Sequence, residues 1–164
     1  LIAGVPVGRE IGGGVRRFAG SDPLDLAGAS VGETGSILIV VATDAPLLPH
    51  QLKRLARRAA LGLARTGSVS GHGSGDLFLA FSTAAVKPPP AEFAPAAIHA
   101  LTNEAMSPLF ESTVEAVEEA IINALVAGET MIGRDGHKAE GLPIAQVQEI
   151  LKKYHRLGPV AASR

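Results

Sequence analysis

Residues 35–47 read Gly35-Ser36-Ile37-Leu38-Ile39-Val40-Val41-Ala42-Thr43-Asp44-Ala45-Pro46-Leu47, and they contain the longest uninterrupted apolar run in the chain, Ile37 to Ala42. The run is rich in β-branched residues and has no polar alternation, the pattern of a strand buried on both faces. Its predicted extent is Ser36 to Thr43. Asp44, Pro46 and Pro49 then mark a turn. From His50 to Arg65 the apolar residues Leu52, Leu55, Ala59 and Leu63 recur every three or four positions, opposite Lys53, Arg54, Arg57 and Arg58. That spacing predicts an amphipathic helix.

Further along, a glycine-rich turn from Gly67 to Gly75 leads into a second predicted strand, Asp76 to Ser82. Pro88-Pro89-Pro90 cannot lie inside a helix and reads as an extended connector. A long helix follows, with Ser107 as its expected N-cap, Pro108 at its first position and Gly128 just past its end. Its expected buried stripe is Phe110, Val114, Val117, Ile121 and Leu125. A last helix is predicted from about Pro143 to Leu157, stopping at Gly158. Towards the N-terminus, Leu1 to Val7 resembles a strand end, and Gly8 to Gly35 reads as a long surface loop. The order strand, helix, strand, helices points to an α/β layer architecture.

Composition narrows the function. The 164 residues are 46% hydrophobic and 19% charged, which excludes a disordered chain. Fifteen basic against sixteen acidic side chains leave a net charge of −1, so nothing in the charge calls for nucleic acid or an anionic membrane. There are no cysteines, which removes disulfides, thiolate nucleophiles and Cys-based metal sites. No P-loop or dinucleotide-binding glycine turn is present, and Gly73-Ser74-Gly75 lacks the outer glycines of a nucleophile elbow. His50, His72, His99, His137 and His155 have no metal-ligand spacing and read as solvated or internally satisfied. No metal or cofactor is expected. The chain opens at Leu1 rather than at a methionine, so the true N-terminus is expected upstream; a cytoplasmic location is the default.

Two places can carry chemistry. Gly35-Ser36 sits where the glycine-rich loop meets the most apolar strand. There a serine hydroxyl can attack the preceding carbonyl, turn the peptide into an ester and, after hydrolysis, leave a new chain starting at Ser36. Its freed α-amine, with an ordinary pKa of about 7.7–8.0, is a suitable base for its own hydroxyl. The same residues equally describe an ordinary turn ending. The second place is Ser74 and Asp76, two apart, which share a face if the backbone there is extended. They could orient a nucleophile and hold a proton or an ammonium, or only cap the turn into the second strand.

The run 35–47, with Pro49-His50-Gln51-Leu52-Lys53-Arg54-Leu55-Ala56-Arg57-Arg58 after it, closely resembles the L-aminopeptidase/D-esterase family, which includes the β-peptidyl aminopeptidases. Ser74-Gly75-Asp76-Leu77-Phe78-Leu79-Ala80-Phe81-Ser82-Thr83, Leu109-Phe110 through Asn123-Ala124-Leu125, Gly133-Arg134-Asp135-Gly136-His137 and Leu142-Pro143 fit as well. The resemblance implies a four-layer α/β/β/α sandwich like that of the N-terminal nucleophile hydrolases, of which this chain is about half. Apolar faces would then be left exposed where the missing strands belong.

The resemblance also implies autocleavage between Gly35 and Ser36. Residues 1–35 would end an α chain, and residues 36–164 would be a β chain starting at the nucleophile. Ser74 and Asp76 match the family's supporting serine and carboxylate; some β-peptidyl aminopeptidases carry Glu at the latter position. The implied substrates are short peptides, amides or esters, and the implied partners are the upstream α part and further copies in a homo-oligomer, a tetramer of αβ units. The oxyanion-hole and amine-binding side chains would lie upstream of Leu1. Two alternatives stand beside this reading: a self-cleaving acyltransferase of the ornithine acetyltransferase type, whose members resemble having threonine where Ser36 stands, and a chain inactive without its upstream part.

Overall fold

A computed structural model describes residues 1–11, 35–84 and 98–158. The greater part of the glycine-rich loop expected at Gly8–Gly35, and the connector at Pro88–Pro90, lie outside the described residues. The chain divides into two compact units, one built on residues 33–64 and 68–118 and the other on residues 1–32, 65–67 and 119–164.

In the first of these units, β1 (Leu38–Thr43), α2 (Pro49–Arg65) and β2 (Leu77–Ser82) follow one another, after the short helix α1 (Val7–Ile11) of the other unit. β1 and β2 pair in parallel, with Leu38 opposite Leu77 and Thr43 opposite Ser82. Parallel strands need a long crossover, which here contains α2. The helix starts where the sequence lets it. Pro49 tolerates the first turn because its missing N–H would have no partner there. The buried Gln51 reaches back so that its Oε1 accepts the Leu48 N–H at 2.9 Å, while its Nε2 donates to the Leu101 carbonyl at 2.7 Å.

β1 is not buried on both faces as its composition suggests. Exposure alternates along both strands, and Leu38 (67%), Val40 (49%), Leu77, Leu79 (58%) and Phe81 stand on one open apolar face. The opposite face is the covered one, where Phe78 and Ala80 share a cleft with Leu52 and Ala56 of α2. The strand is apolar throughout because both faces are suited to packing, and a single layer of helix covers only one of them.

α3 (Met106–Ala127) starts earlier than its sequence signals predict. A 3₁₀ turn at Asn103–Ala105 runs directly into it, so Ser107 lies inside the first turn rather than capping it. Met106, fully buried, draws the start forward. Gly128 follows the last helical residue, as expected. Val114 and Val117 of the predicted stripe are buried, together with Thr113; Leu125, at the far end, is exposed. α3 meets α2 closely at Gly62, where an added Cβ would stand 2.6 Å from the Val114 carbonyl oxygen. Arg58 and Arg54 lie over the Phe110 ring, at 3.9 and 5.1 Å from its centre.

The second unit has its own core of Val5, Val7, Val147, Ile150 and Leu151, with Ile2, Ile11 and Leu142 packed against it. The strand end expected at Leu1–Val7 is only a bridge between Ile2 and Val5, and α1 begins at Val7. The last helix, α4 (Ile144–Lys153), is shorter than predicted. His155 takes the left-handed conformation at φ 55°, its N–H bonding to the Lys152 carbonyl while the Arg156 N–H bonds to that of Leu151. This paired termination closes the helix before Gly158 is reached. An antiparallel hairpin, β3 (Met131–Ile132) with β4 (Lys138–Ala139), was not anticipated. Asp135 and Gly136, both at positive φ, form its turn, and that Asp-Gly pair is the local signal for it.

Candidate active site

Because β1 and β2 run in parallel, their N-terminal ends lie side by side, and so do the residues just before them. Ladder partners are offset by 39 positions, and the same offset continues into the site. Ser36 stands opposite Gly75, and Ile37 opposite Asp76. The Gly75 N–H donates to the Ser36 Oγ at 2.9 Å, and the Ile37 N–H donates to the Asp76 Oδ1 at 3.0 Å. The ladder proper then begins with the Leu77 N–H on the Ile37 carbonyl. Two candidate sites 38 residues apart in sequence thus become one.

Ser36 is exposed, while Ser74 and Asp76 are half-buried. The carboxyl of Asp76 is held below its ordinary pKa, first by the Ser74 hydroxyl, then by the Ile37 N–H and the Ser70 hydroxyl, against a smaller opposing effect of burial. It is therefore an anion at neutral pH. Its Oδ2 is buried and has no partner in hydrogen-bond geometry, although the two serine hydroxyls lie near enough to favour the charge. A buried carboxylate oxygen left open in this way is an acceptor for a further donor or cation.

Gly35 is exposed, and nothing described lies within 4 Å of where a Cβ would stand on it. In this continuous chain neither space nor a left-handed φ demands glycine there. Gly75 is different, since a Cβ on it would stand 3.3 Å from the Ser36 Oγ. Sequence reasoning singled out Ser36, Ser74 and Asp76 but not Gly75, the Ile37 N–H or Ser70. The first two follow from parallel pairing. Ser70, at φ 45°, arrives through a turn that holds the Ser74 N–H on the Gly71 carbonyl. Among the described residues no group of three or more His, Asp or Glu side chains could hold a metal ion, and no helix is long and apolar enough to cross a membrane.

Comparison with known proteins gives the family. Residues 1–139 match the model of peptidase family S58. The β-peptidyl aminopeptidase BapA of Sphingosinicella microcystinivorans is 43% identical over an alignment of 163 residues that covers 95% of this chain and 40% of that protein. The L-aminopeptidase D-Ala-esterase/amidase of Ochrobactrum anthropi, a prototype of the serine aminopeptidases and a variant of the Ntn hydrolase fold, superposes with a TM-score of 0.73 at 36% identity, over 96% of this chain and 40% of its own. The PH0078 protein of Pyrococcus horikoshii OT3 does so with a TM-score of 0.74 at 44% identity, over 93% and 38%. The chain spans about 40% of the length of these relatives. With the family match covering most of the sequence and the fold match extending along nearly all of it, the chain belongs to peptidase family S58.

Proposed function

We infer that this chain is the part of a self-processing serine aminopeptidase that carries its nucleophile, and that the protein releases N-terminal residues from short peptides, amides or esters. Ser36 Oγ attacks the Gly35 carbonyl, the Gly35–Ser36 C–N bond breaks, and the nitrogen keeps the displaced electron pair as the Ser36 amine. Water then hydrolyses the ester, leaving a Gly35 carboxylate and a free Ser36. Residues 1–35 become the end of an α chain and residues 36–164 a β chain.

In turnover the Ser36 α-amine takes the proton from Oγ as Oγ attacks the substrate carbonyl. The acyl-enzyme is then cleared by water. Asp76 holds the α-ammonium through its open Oδ2, and Ser74 steadies the carboxylate. The observation that carries this reading is that Ser36, held by the Gly75 N–H, and the Asp76 anion, held by the Ile37 N–H, stand on adjacent rungs at the head of the paired strands. Because the chain spans only part of its relatives, the substrate pocket, the four-layer sandwich and a homo-oligomeric assembly belong to the protein with its upstream segment.

The test is the intact mass of that longer protein. Two fragments meeting between Gly35 and Ser36 are expected. Ser36→Ala should remain one uncut, inactive chain, and Ser36→Cys should retain part of both activities, since a thiolate also performs the acyl shift. A cleaved, active alanine variant would remove Ser36 from the mechanism.

A further inference from the structure

We propose that the backbone N–H of Gly75 is a catalytic hydrogen-bond donor to the Ser36 Oγ that speeds release of the acyl group, an assignment that rests on Ser36 being the nucleophile. The bond is 2.9 Å long and comes from the residue between Ser74 and Asp76. A serine hydroxyl has one proton to give and two lone pairs to receive. With one lone pair engaged by Gly75, the hydroxyl proton is directed elsewhere, where the α-amine created by cleavage can take it.

The value of this donor changes through the cycle. In the acyl-enzyme Oγ is an ester oxygen, a weak acceptor. During release water attacks the acyl carbon and passes a proton to the α-amine; the C–Oγ bond then breaks, the electron pair returns to Oγ, and the α-ammonium hands that proton to it. A hydrogen bond to an oxygen gaining negative charge is about twice as strong as one to a neutral oxygen. The Gly75 N–H therefore stabilises the transition state of release more than the ester that precedes it. During acylation the hydroxyl is already a good acceptor before it attacks, so the bond gains little on the way to that transition state.

The glycine itself permits the contact. A Cβ at position 75 would lie 3.3 Å from Oγ, tight enough to move the nucleophile by a few tenths of an ångström. Asp76 is tied to Ile37 on the next rung, so the donor and acceptor cannot separate without disturbing the head of the ladder.

The experiment replaces residue 75 with glycolic acid, through a suppressor tRNA, in the protein carrying its upstream segment. This exchanges the one N–H for an ester oxygen and adds no side chain. Acylation and release are followed separately with L-alanyl and β-alanyl p-nitrophenyl esters, and acylated β chain is weighed by mass spectrometry. Release should slow by about tenfold to a hundredfold, at or below the lower end of the range for one oxyanion donor, because this bond is solvent-exposed. Acylation should change little, so acylated Ser36 accumulates.

Equal slowing of both steps, or of neither, overturns the assignment. If no acyl group is found on Ser36 in either parent or variant while both hydrolyse the esters, the nucleophile reading fails as well, which separates the two. Should the glycolate variant not fold, Gly75→Ala keeps the N–H but crowds Oγ. By pushing Oγ away it lengthens the same bond, so release should slow more than acylation at an unchanged melting temperature; equal slowing, or unaltered rates, overturns the proposal.

Discussion

Asp76 accepts the N–H of Ile37 at 3.0 Å, so the carboxylate is anchored to the residue that immediately follows Ser36. The Ile37 carbonyl in turn accepts the Leu77 N–H at 3.0 Å, so both main-chain polar groups of Ile37 are engaged by residues 76 and 77. The acid is therefore held by the main chain of the residue next to the serine.

Asp76→Asn preserves an acceptor for Ile37 and removes only the charge. In the protein with its upstream segment, turnover should fall by about a hundredfold while the melting temperature changes little. The rising limb of the pH–rate profile, set by the Ser36 amine, should move to lower pH, because the anion that favours the ammonium is gone. Unchanged kinetics would make Asp76 a turn cap only. The stability profile gives an independent check. Since the folded carboxyl has a lowered pKa, its contribution is present above the ordinary carboxylate range and is lost as pH falls through the folded value. Acid should destabilise the parent more than Asp76→Asn.

Gly62→Ala should destabilise the unit built on β1, α2 and β2. Alanine favours an exposed helix interior over glycine by about 1 kcal/mol. Here its Cβ would meet the Val114 backbone oxygen at 2.6 Å and the Val117 Cβ at 2.7 Å, neither of which can rotate away. Overpacking of this kind costs about 1–3 kcal/mol or more, so the net sign is loss. Urea denaturation should show a lower midpoint; a raised one would contradict the close helix contact.

Glu10 accepts the Tyr154 hydroxyl at 2.6 Å and the Lys153 ammonium at 3.0 Å, tying α1 to the end of α4. The Tyr154 hydroxyl, then Lys153, lower its pKa, and both partners are raised by it. The stability contributed by the lowered carboxyl is lost as pH falls through its folded value. That from the raised tyrosine and lysine is present below their unfolded pKa values and lost as pH rises through the folded ones. Amide exchange at the end of α4 should accelerate at both extremes in the parent. In Glu10→Gln it should already be faster at neutral pH and depend less on pH.

The open apolar face of β1 and β2 should behave differently in the short chain and the longer protein. Val40→Thr should be nearly neutral in the 164-residue chain, where Val40 is half exposed. In the protein with its upstream segment it should cost about 1–2 kcal/mol, if that face is covered there as a buried valine would be. Equal effects in the two would show that the face stays open to solvent.

The local readings came from patterns with a local cause. The period of α2, the apolar run of β1, the stop at Gly128 and the serine at the loop-to-strand junction all depend on neighbours within a few positions. The end of α4 at His155 escaped such reading because a histidine took the left-handed position that glycine usually fills. The start of α3 escaped because burial of Met106 overrode a good cap at Ser107. What the residue order offered unaided was a serine at a loop-to-strand junction as a candidate nucleophile, and an acid two positions after a second serine. Whether Ser36 met Asp76 depended on β1 and β2 pairing in parallel with an offset of 39, a contact between segments separated by a whole helix. No periodicity encodes that offset; it is set by the length of the α2 crossover and by which strand faces fit together.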